Sequence, residues 1–265
     1  MTRLPALYWD RARFEVRLLL RDRRTVMFSM LLPVFLLAIF GSVFNNQQLA
    51  DGVSFAQYFV AGMLASGLLY SSFQLLAIAI PEERTNGTLK RLVGSPIPRS
   101  VYFVGKFGSS LFIYVFQAIV LLALGHFAYH VHLPTAGARW LEFAWISLLG
   151  LVVSSLLGIA FSTLARDGKS ASAMAAPLVL FFQFTSGVYF VYAKLPAWMQ
   201  HVSALFPLKW MAQAMRGVFL PRAYAGAEVA HSFEFARAAV VLGLWTVAAA
   251  LLCRFTFRWM RKDES

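Results

Sequence analysis

The chain has 265 residues, of which 59% are hydrophobic and 14% are charged, and its formal net charge at pH 7 is +12. About a quarter of the residues of a soluble domain are charged, so this composition excludes an ordinary soluble protein and predicts an integral membrane protein. The Lys and Arg residues lie mainly between long apolar runs, as in membrane proteins, so we predict no nucleic-acid partner. The lone cysteine, Cys253, excludes an internal disulfide.

The first 24 residues combine seven arginines with apolar side chains such as Leu7, Trp9 and Leu18. This pattern predicts an amphipathic helix in the membrane interface. Arg23 and Arg24 ahead of an apolar run are also typical of twin-arginine or secretory signals, but no small-x-small cleavage site follows. Because the run is long enough to cross a bilayer, we expect an uncleaved first span.

Six apolar runs follow, each with at least about 20 residues, which is enough for a helix to cross about 30 Å of hydrocarbon. The predicted spans are Thr25–Phe44, Val53–Ile80, Val101–His130, Leu141–Ala165, Ser170–Tyr192 and Ala236–Phe257. The predicted fold class is therefore an all-α membrane bundle of six helices. We interpret residues 1–265 as one transmembrane domain, with the amphipathic helix at 1–24, the bundle at 25–257 and a cytoplasmic tail at 258–265.

The distribution of Lys and Arg predicts the orientation of these spans. If the N-terminus is cytoplasmic, the cytoplasmic segments carry 17 Lys and Arg residues and the outer segments carry five. Positive charges are enriched on the cytoplasmic side of membrane proteins, so both termini are predicted to be cytoplasmic. The same orientation places residues 81–100, between the second and third spans, on the side where ATP is found.

Residues 81–100 form a dense polar insert between two apolar runs. Pro81 followed by two carboxylates is typical of a helix start, and Asn86 or Thr88 is suited to cap a short second turn. Leu89 and Leu92 fall on one helical face. The polar insert is therefore either an ordinary charged loop or a short amphipathic helix shaped to dock onto another protein.

The segment between the fifth and sixth runs, Lys194–Phe235, is also unusual. It is too apolar for a solvated loop and too often broken to span the membrane. We predict short re-entrant or interfacial helices at the outer face, held by Trp198 and Trp210.

Two motifs in these segments carry a family resemblance. The polar insert reads Glu82-Glu83-Arg84-x-x-Gly87-Thr88-Leu89-x-Arg91-Leu92 and ends in Pro96-Ile97-Pro98. This pattern resembles the coupling segment of type-2 ABC transporter permeases, the membrane subunits of drug, lipid and polysaccharide exporters, and it looks most like the antibiotic-resistance branch. The run Pro207-Leu208-x-Trp210-x-x-x-Ala214-x-Arg216 is similar to a proline-led segment at the same place in that family. The resemblance covers nearly the whole chain.

The resemblance implies that the polar insert docks into a cleft on a separate nucleotide-binding ATPase subunit. In that case residues 82–84 form polar contacts or the elbow of a lever, and Leu89 and Leu92 fill a groove on the ATPase. Gly87 permits a close approach, and Thr88 and Arg91 belong to the same coupling surface.

The resemblance also implies the composition of the assembly. Two permeases, as a homodimer or as a heterodimer with a related permease, form the pathway, and two ATPase subunits bind their cytoplasmic face. The chain then has no catalytic residue and no cofactor of its own, because ATP and magnesium bind to the ATPase. Such a complex is a multi-pass protein of the cell membrane, the inner or plasma membrane, of a prokaryote.

In that family the second and fifth spans line the pathway, and both are rich in aromatic residues here. The candidates for contact with cargo are Tyr70, Phe73, Gln74, Phe181, Gln183 and Phe184, with packing or lipid contact as the alternative role. The middle of every predicted span lacks Asp, Glu, Lys and Arg, which disfavours an ion-coupled carrier. We therefore predict an ATP-driven exporter of hydrophobic or amphipathic molecules, such as a drug, natural product or lipid. A polysaccharide or glycolipid exporter is the alternative.

Two further motifs give weaker signals. Asp167–Ser170 looks like the end of a phosphate-binding loop. Such a loop requires a glycine five positions before Gly168, and Thr163 stands there instead, so we predict no nucleotide site here. His126, His130 and His132 have the spacing of a metal box, but histidines at the membrane interface are the favoured interpretation, and no metal is predicted. A histidine-metal membrane lipid enzyme and a non-transporting scaffold stay open as alternatives.

Overall fold

The computed structural model describes residues 4–21, 23–44 and 47–257. Within them the regular structure is helical, apart from one antiparallel bridge between Gln48 and Ser54, which confirms the all-α class. The predicted tail at 258–265 lies outside the described residues. The α-helices are α1 (Leu4–Arg21), α2 (Arg23–Val43), α3 (Phe55–Leu68), α4 (Leu75–Thr85), α5 (Thr88–Val93), α6 (Arg99–Tyr129), α7 (Gly137–Phe161), α8 (Gly168–Thr185), α9 (Ala197–Ala204), α10 (Pro207–Phe219) and α11 (Phe235–Thr256).

Among the described residues, four helices are long and apolar enough to cross a membrane: the continuous helix Phe55–Thr85, α6, α7 and α11. They correspond to the second, third, fourth and sixth predicted spans and define a multi-pass membrane protein. The first predicted span falls on α2, whose apolar stretch is Leu31–Val43, and the fifth falls on α8. Helix α8 ends at Thr185, well before the predicted end at Tyr192, because the chain turns at Gly187, which has a φ of +73°.

The helix from Phe55 to Thr85 is the centre of the fold. Every residue of α3 is buried, and α2, α6, α7 and α10 pack around it. Between α3 and α4, Leu69–Gln74 form a π-helical turn, a distortion that is frequent at functional sites. Helix α7 packs directly against the backbone of this turn, because Gly158 has no Cβ; a Cβ there would lie 2.6 Å from the Phe73 carbonyl oxygen.

Pro81 lies inside the central helix rather than at the start of a new one, so the predicted helix start is wrong. Membrane helices tolerate an internal proline where neighbours satisfy the freed backbone groups. The helix continues to Thr85, and the chain then turns at Gly87, whose φ of +72° is accessible to glycine at little cost. Helix α5 begins directly after Gly87 without a side-chain cap, so the capping roles predicted for Asn86 and Thr88 are also wrong.

The two ends of the bundle carry different features. At the first, which we call the Gly87 end, the α4–α5 turn lies beside the start of α6 and the start of α8. Helix α1 packs along α6 at the same end, where Gly105 and Gly108 leave room for Arg11 and Ala12. The opposite end, which we call the Arg216 end, contains α9, α10 and the start of α11.

The predicted break in the segment after the fifth run is present as two short helices, α9 and α10. Every residue of α10 is buried against α3, α7 and α11. Trp198 is 56% exposed, as an interfacial anchor requires, whereas Trp210 is only 3% exposed. The Trp210 indole donates to the Ala204 carbonyl oxygen at 2.8 Å, so its predicted role as an interfacial anchor is wrong and it is a core residue.

Candidate coupling and transport site

The polar insert forms a helical hairpin of α4 and α5 around Gly87. Leu89 is fully buried in a small apolar cluster with Leu76, Ile80 and Tyr102. Because this side chain is enclosed by its own chain, the prediction that it fills a groove on a partner is wrong; it fixes α5 to the bundle instead. A Cβ on Gly87 would meet no atom within 4 Å, so the turn itself, rather than a close contact within the chain, explains this glycine.

The outer face of the hairpin is polar and accessible. Thr88, Lys90 and Arg91 are exposed, and Leu92 is half-buried beside the cluster around Leu89. Any partner that contacts α5 at this end meets these side chains first. The assignment of Thr88, Arg91 and Leu92 to a coupling surface stays a prediction.

Glu83 takes part in a buried ionic network that joins three helices. The Lys106 ammonium of α6 pairs with Glu83 and, at 2.8 Å, with Glu15 of α1. The Tyr102 hydroxyl donates to Glu83 at 2.7 Å, and Arg11 pairs with Glu15. Glu15 and Lys106 are both almost fully buried. The network therefore connects the end of the central helix to α1 and α6.

Sequence reasoning missed Glu15 and Lys106, although one signal was available. A lysine two turns inside an apolar run is costly unless it finds a carboxylate, so Lys106 implies a partner. The partner could not be chosen from the sequence, since Glu15 lies 91 positions away.

The two charged residues that flank Glu83 occupy different environments. Arg84 is buried, and its Nη1 donates to the Ser162 carbonyl oxygen at 3.4 Å, which links α4 to the end of α7. Glu82 is exposed, lies against the start of α8 near Gly168, and makes no ion pair with any described residue. The three neighbouring side chains therefore point to three different surroundings.

The structure separates the six candidate pathway residues. Gln183 is fully buried, donates to the Ser66 hydroxyl and accepts from the Tyr189 hydroxyl at 2.7 Å, so it joins α8 to α3 and its predicted exposure to cargo is wrong. Phe181 and Phe184 lie on the exposed face of α8. Phe73 is nearly buried and borders an apolar cavity of about 410 Å³ between the π turn, α7 and α11.

Tyr70 and Gln74 line a second cavity of about 670 Å³, which extends to the Gly87 end. Its wall comes from α1, α2, α6 and the central helix, and it is apolar over most of its depth, with Leu18, Leu32 and Ile113. Glu82 and Thr88 of the polar insert also border it. Residues predicted to contact cargo and residues predicted to contact the ATPase thus meet in one cavity.

The Arg216 end contains a second buried charge network, which sequence reasoning did not find. Arg216 is fully buried, and its guanidinium binds Glu228 with two hydrogen bonds of 2.5 and 3.2 Å. Lys209 is also buried, beside Trp210 and 3.9 Å from Glu234. Burial lowers the pKa of Lys209 to about 8, although the Glu234 carboxylate opposes this shift. These charges fix α10 in the core.

The two remaining motifs have local structural explanations. Asp167 caps α8 by accepting from the Ser170 backbone N–H at 2.7 Å, and this hydrogen bond lowers the pKa of its carboxyl group. The His126 ring bonds to the Val131 carbonyl oxygen at 3.1 Å, and His130 ends α6 with a φ of +53°. In the described part of the chain, no three His, Cys, Asp or Glu side chains gather as a metal site.

Long apolar helices around a buried central helix, with a polar hairpin at one end, define a multi-pass helical membrane protein. Residues 11–220 match the family described as ABC-2 type transporter. The match covers most of the chain, and the chain belongs to this family, which confirms the resemblance to type-2 ABC permeases.

Curated relatives carry transport names. The probable multidrug ABC transporter permease YbhR of Escherichia coli K12 is 24% identical over 186 residues, which cover 66% of this chain and 49% of that protein. The inner membrane transport permease YadH of the same organism is 22% identical over 71% of this chain and 74% of its own length. The putative transport permease YvfS of Bacillus subtilis 168 is 21% identical over 73% of this chain and 77% of its own length. The chain spans about half the length of YbhR.

Proposed function

We propose that this chain is the membrane subunit of an ATP-driven exporter of hydrophobic or amphipathic molecules, such as a drug, natural product or lipid. The observation that carries the proposal is the continuity of the central helix. The same helix presents Tyr70 and Gln74 to the larger cavity and ends at the exposed α4–α5 hairpin. A force on the hairpin is therefore transmitted along one continuous helix to the cavity wall.

In the proposed topology α2 and α8 also cross the membrane, which gives six spans. The Lys and Arg distribution supports a cytoplasmic Gly87 end, both termini in the cytoplasm, and α9 and α10 as re-entrant helices at the outer face of a prokaryotic cell membrane. Two permease chains form the pathway, and two ATPase subunits, which bind ATP and magnesium, contact the exposed face of α5.

The mechanism follows from how the hairpin is held. Leu89 anchors α5 to the bundle, and the Glu83–Lys106–Glu15 network joins the end of the central helix to α1 and α6. When the two ATPase subunits close on ATP, the hairpin, α1 and the start of α6 therefore move as one unit. Such a movement changes the width of the cavity, because these elements form its wall.

The test is co-expression with a candidate ATPase subunit from the same organism. We expect the two to co-purify with ATPase activity that candidate hydrophobic cargo stimulates. Arg91→Glu reverses a charge on the exposed face of α5 and should weaken co-purification or stimulation at least fivefold. Lys169→Glu, the same reversal on the exposed start of α8, is the matched control.

Three results would contradict the proposal. If no ATPase co-purifies and Arg91→Glu behaves as wild type, the coupling role of the hairpin is wrong. If a hydrophilic glycan, and no amphipathic compound, stimulates activity and is transported, the polysaccharide alternative replaces the proposed cargo class. Bound metal that supports lipid turnover by the purified chain would favour the enzyme alternative.

A further inference from the structure

The larger cavity has a charge composition opposite to that of the whole chain. The sequence contains 24 Lys and Arg residues against 12 Asp and Glu residues. The cavity is bordered by three carboxylates, Glu15, Glu82 and Glu83, and by one cation, Lys106. A quarter of all carboxylates therefore surround one cavity at the end of the molecule where basic residues otherwise dominate.

The ion pairs in the described structure neutralise two of these three carboxylates and leave the third without a partner. Lys106 and the neighbouring Arg11 neutralise Glu15 and Glu83. Glu82 borders the cavity, is accessible, and has no ion-pair partner among the described residues. The described side chains around the cavity thus carry a net charge of about one negative unit, located at Glu82.

A second polar atom that disfavours an anionic occupant lies deeper in the cavity. Gln74 borders the cavity, and its side-chain carbonyl oxygen is buried without a hydrogen-bond partner in the described structure. A buried acceptor of this kind costs free energy unless a donor or a cation faces it. It is an observation independent of the glutamates, and it disfavours an anionic or acceptor-rich occupant at this depth.

The rest of the cavity wall favours an occupant with an apolar body of drug-like size. Leu18, Leu32, Ile78 and Ile113 provide an apolar surface, and a volume of about 670 Å³ is within the range of about 300–1,000 Å³ that is typical of sites for drug-sized molecules. An anionic amphiphile would have to take Lys106 from two carboxylates that already bind it.

We propose that this cavity binds amphipathic monocations, with the apolar body against α2 and α6 and the positive charge towards Glu82. This deepens the proposed function, on which it rests, by naming the class of cargo taken up at the Gly87 end. Since Glu82 belongs to the α4–α5 hairpin, the same residue that senses the cargo lies on the element proposed to contact the ATPase.

The test uses the full chain in phosphatidylcholine nanodiscs, with tetraphenylphosphonium and tetraphenylborate as probes. The two ions have nearly the same shape and opposite charge, so their comparison separates charge from hydrophobicity. Binding is measured by equilibrium dialysis, and uptake by protein-free nanodiscs is subtracted. We expect saturable binding of the phosphonium at least tenfold tighter than that of the borate.

Three variants locate the site. Glu82→Gln should weaken phosphonium binding about five- to tenfold, because it removes the unpaired charge in a partly screened position. Asp10→Asn removes an exposed carboxylate of α1 that does not border the cavity and should bind as wild type. Ala79→Phe fills the cavity without changing charge and should abolish binding, while its elution and melting profiles show that the chain is folded.

Equal binding of the two ions, tighter binding of the borate, or wild-type affinity in Glu82→Gln or in folded Ala79→Phe would overturn the proposal. These measurements need no ATPase, so they are independent of the proposed function. Glu82-dependent binding without ATP-driven transport would contradict the transport function and leave the site standing. ATP-driven transport without Glu82-dependent binding would do the reverse.

Discussion

Individual charged side chains determine much of this fold, and they do so inside the protein. Lys106 is almost fully buried between Glu15 and Glu83, and removing its charge would leave two carboxylates without a cation in a poorly solvated position. Removal of one partner from a buried ion pair costs about 3–5 kcal/mol. Replacing an exposed lysine has no comparable cost, because no buried carboxylate then loses its partner.

We therefore expect Lys106→Met to destabilise the purified chain by about 3 kcal/mol, near the lower end of that range because Glu83 is partly solvated. Thermal unfolding in detergent measures the change. Lys90→Met, on the exposed face of α5, should unfold as wild type, and adding Glu15→Gln and Glu83→Gln to Lys106→Met should restore part of the loss. An unchanged melting temperature in Lys106→Met would show that the network contributes nothing.

Lys209 gives a prediction about pH. Burial lowers its pKa in the folded chain to about 8, whereas an unfolded lysine has a pKa of about 10.4. Between these values the unfolded chain binds more protons, so stability rises with pH in this window. We expect the melting temperature of wild type to increase from pH 8 to pH 9.5 relative to that of Lys209→Met. A constant difference between the two across this range would contradict the assignment.

At the scale of elements, the sequence predicts helices well and their contacts poorly. Apolar runs of sufficient length can only form helices in a bilayer, because every backbone group needs an internal partner, and this physical constraint is local. The contacts depend on partners distant in sequence. Gln183 has the composition of a pathway residue, but Ser66 and Tyr189 satisfy it, and Leu89 has the pattern of a docking residue, but Tyr102 covers it.

The α4–α5 hairpin depends on the backbone at Gly87. Its φ is +72°, and a Cβ added there would have no atom within 4 Å, so substitution adds strain without a clash. Gly87→Ala should therefore destabilise the hairpin by about 1–2 kcal/mol, and Gly87→Asn by less, since asparagine enters the left-handed region more readily. Hydrogen exchange of residues 84–93 measures this local stability. Equal exchange in all three proteins would show that the turn is not the constraint.

At the scale of the whole molecule, the open question is whether α8 crosses the membrane. Helix α8 has 18 residues and carries Lys169 in its first turn, whereas α6, α7 and α11 are longer and more apolar. About 17 residues is the lower limit for a membrane-spanning helix, so length alone does not decide. The two segments that flank α8 decide the question, because a helix that spans the membrane places them on opposite sides of the bilayer.

Cysteine labelling in intact cells resolves this, and the chain suits the method because Cys253→Ser removes its lone cysteine. Gly137 and Gly226 have open space around them, and Lys90 and Lys169 are exposed, so single cysteines at these positions should not disturb packing. If α8 spans, a membrane-impermeant maleimide labels Gly137→Cys and Gly226→Cys from outside. It then labels Lys90→Cys and Lys169→Cys only after permeabilisation. If α8 does not span, Gly226→Cys is protected together with Lys169→Cys. The reverse labelling of all four positions would show that the orientation is inverted. The Gly87 end could then not meet an ATPase in the cytoplasm.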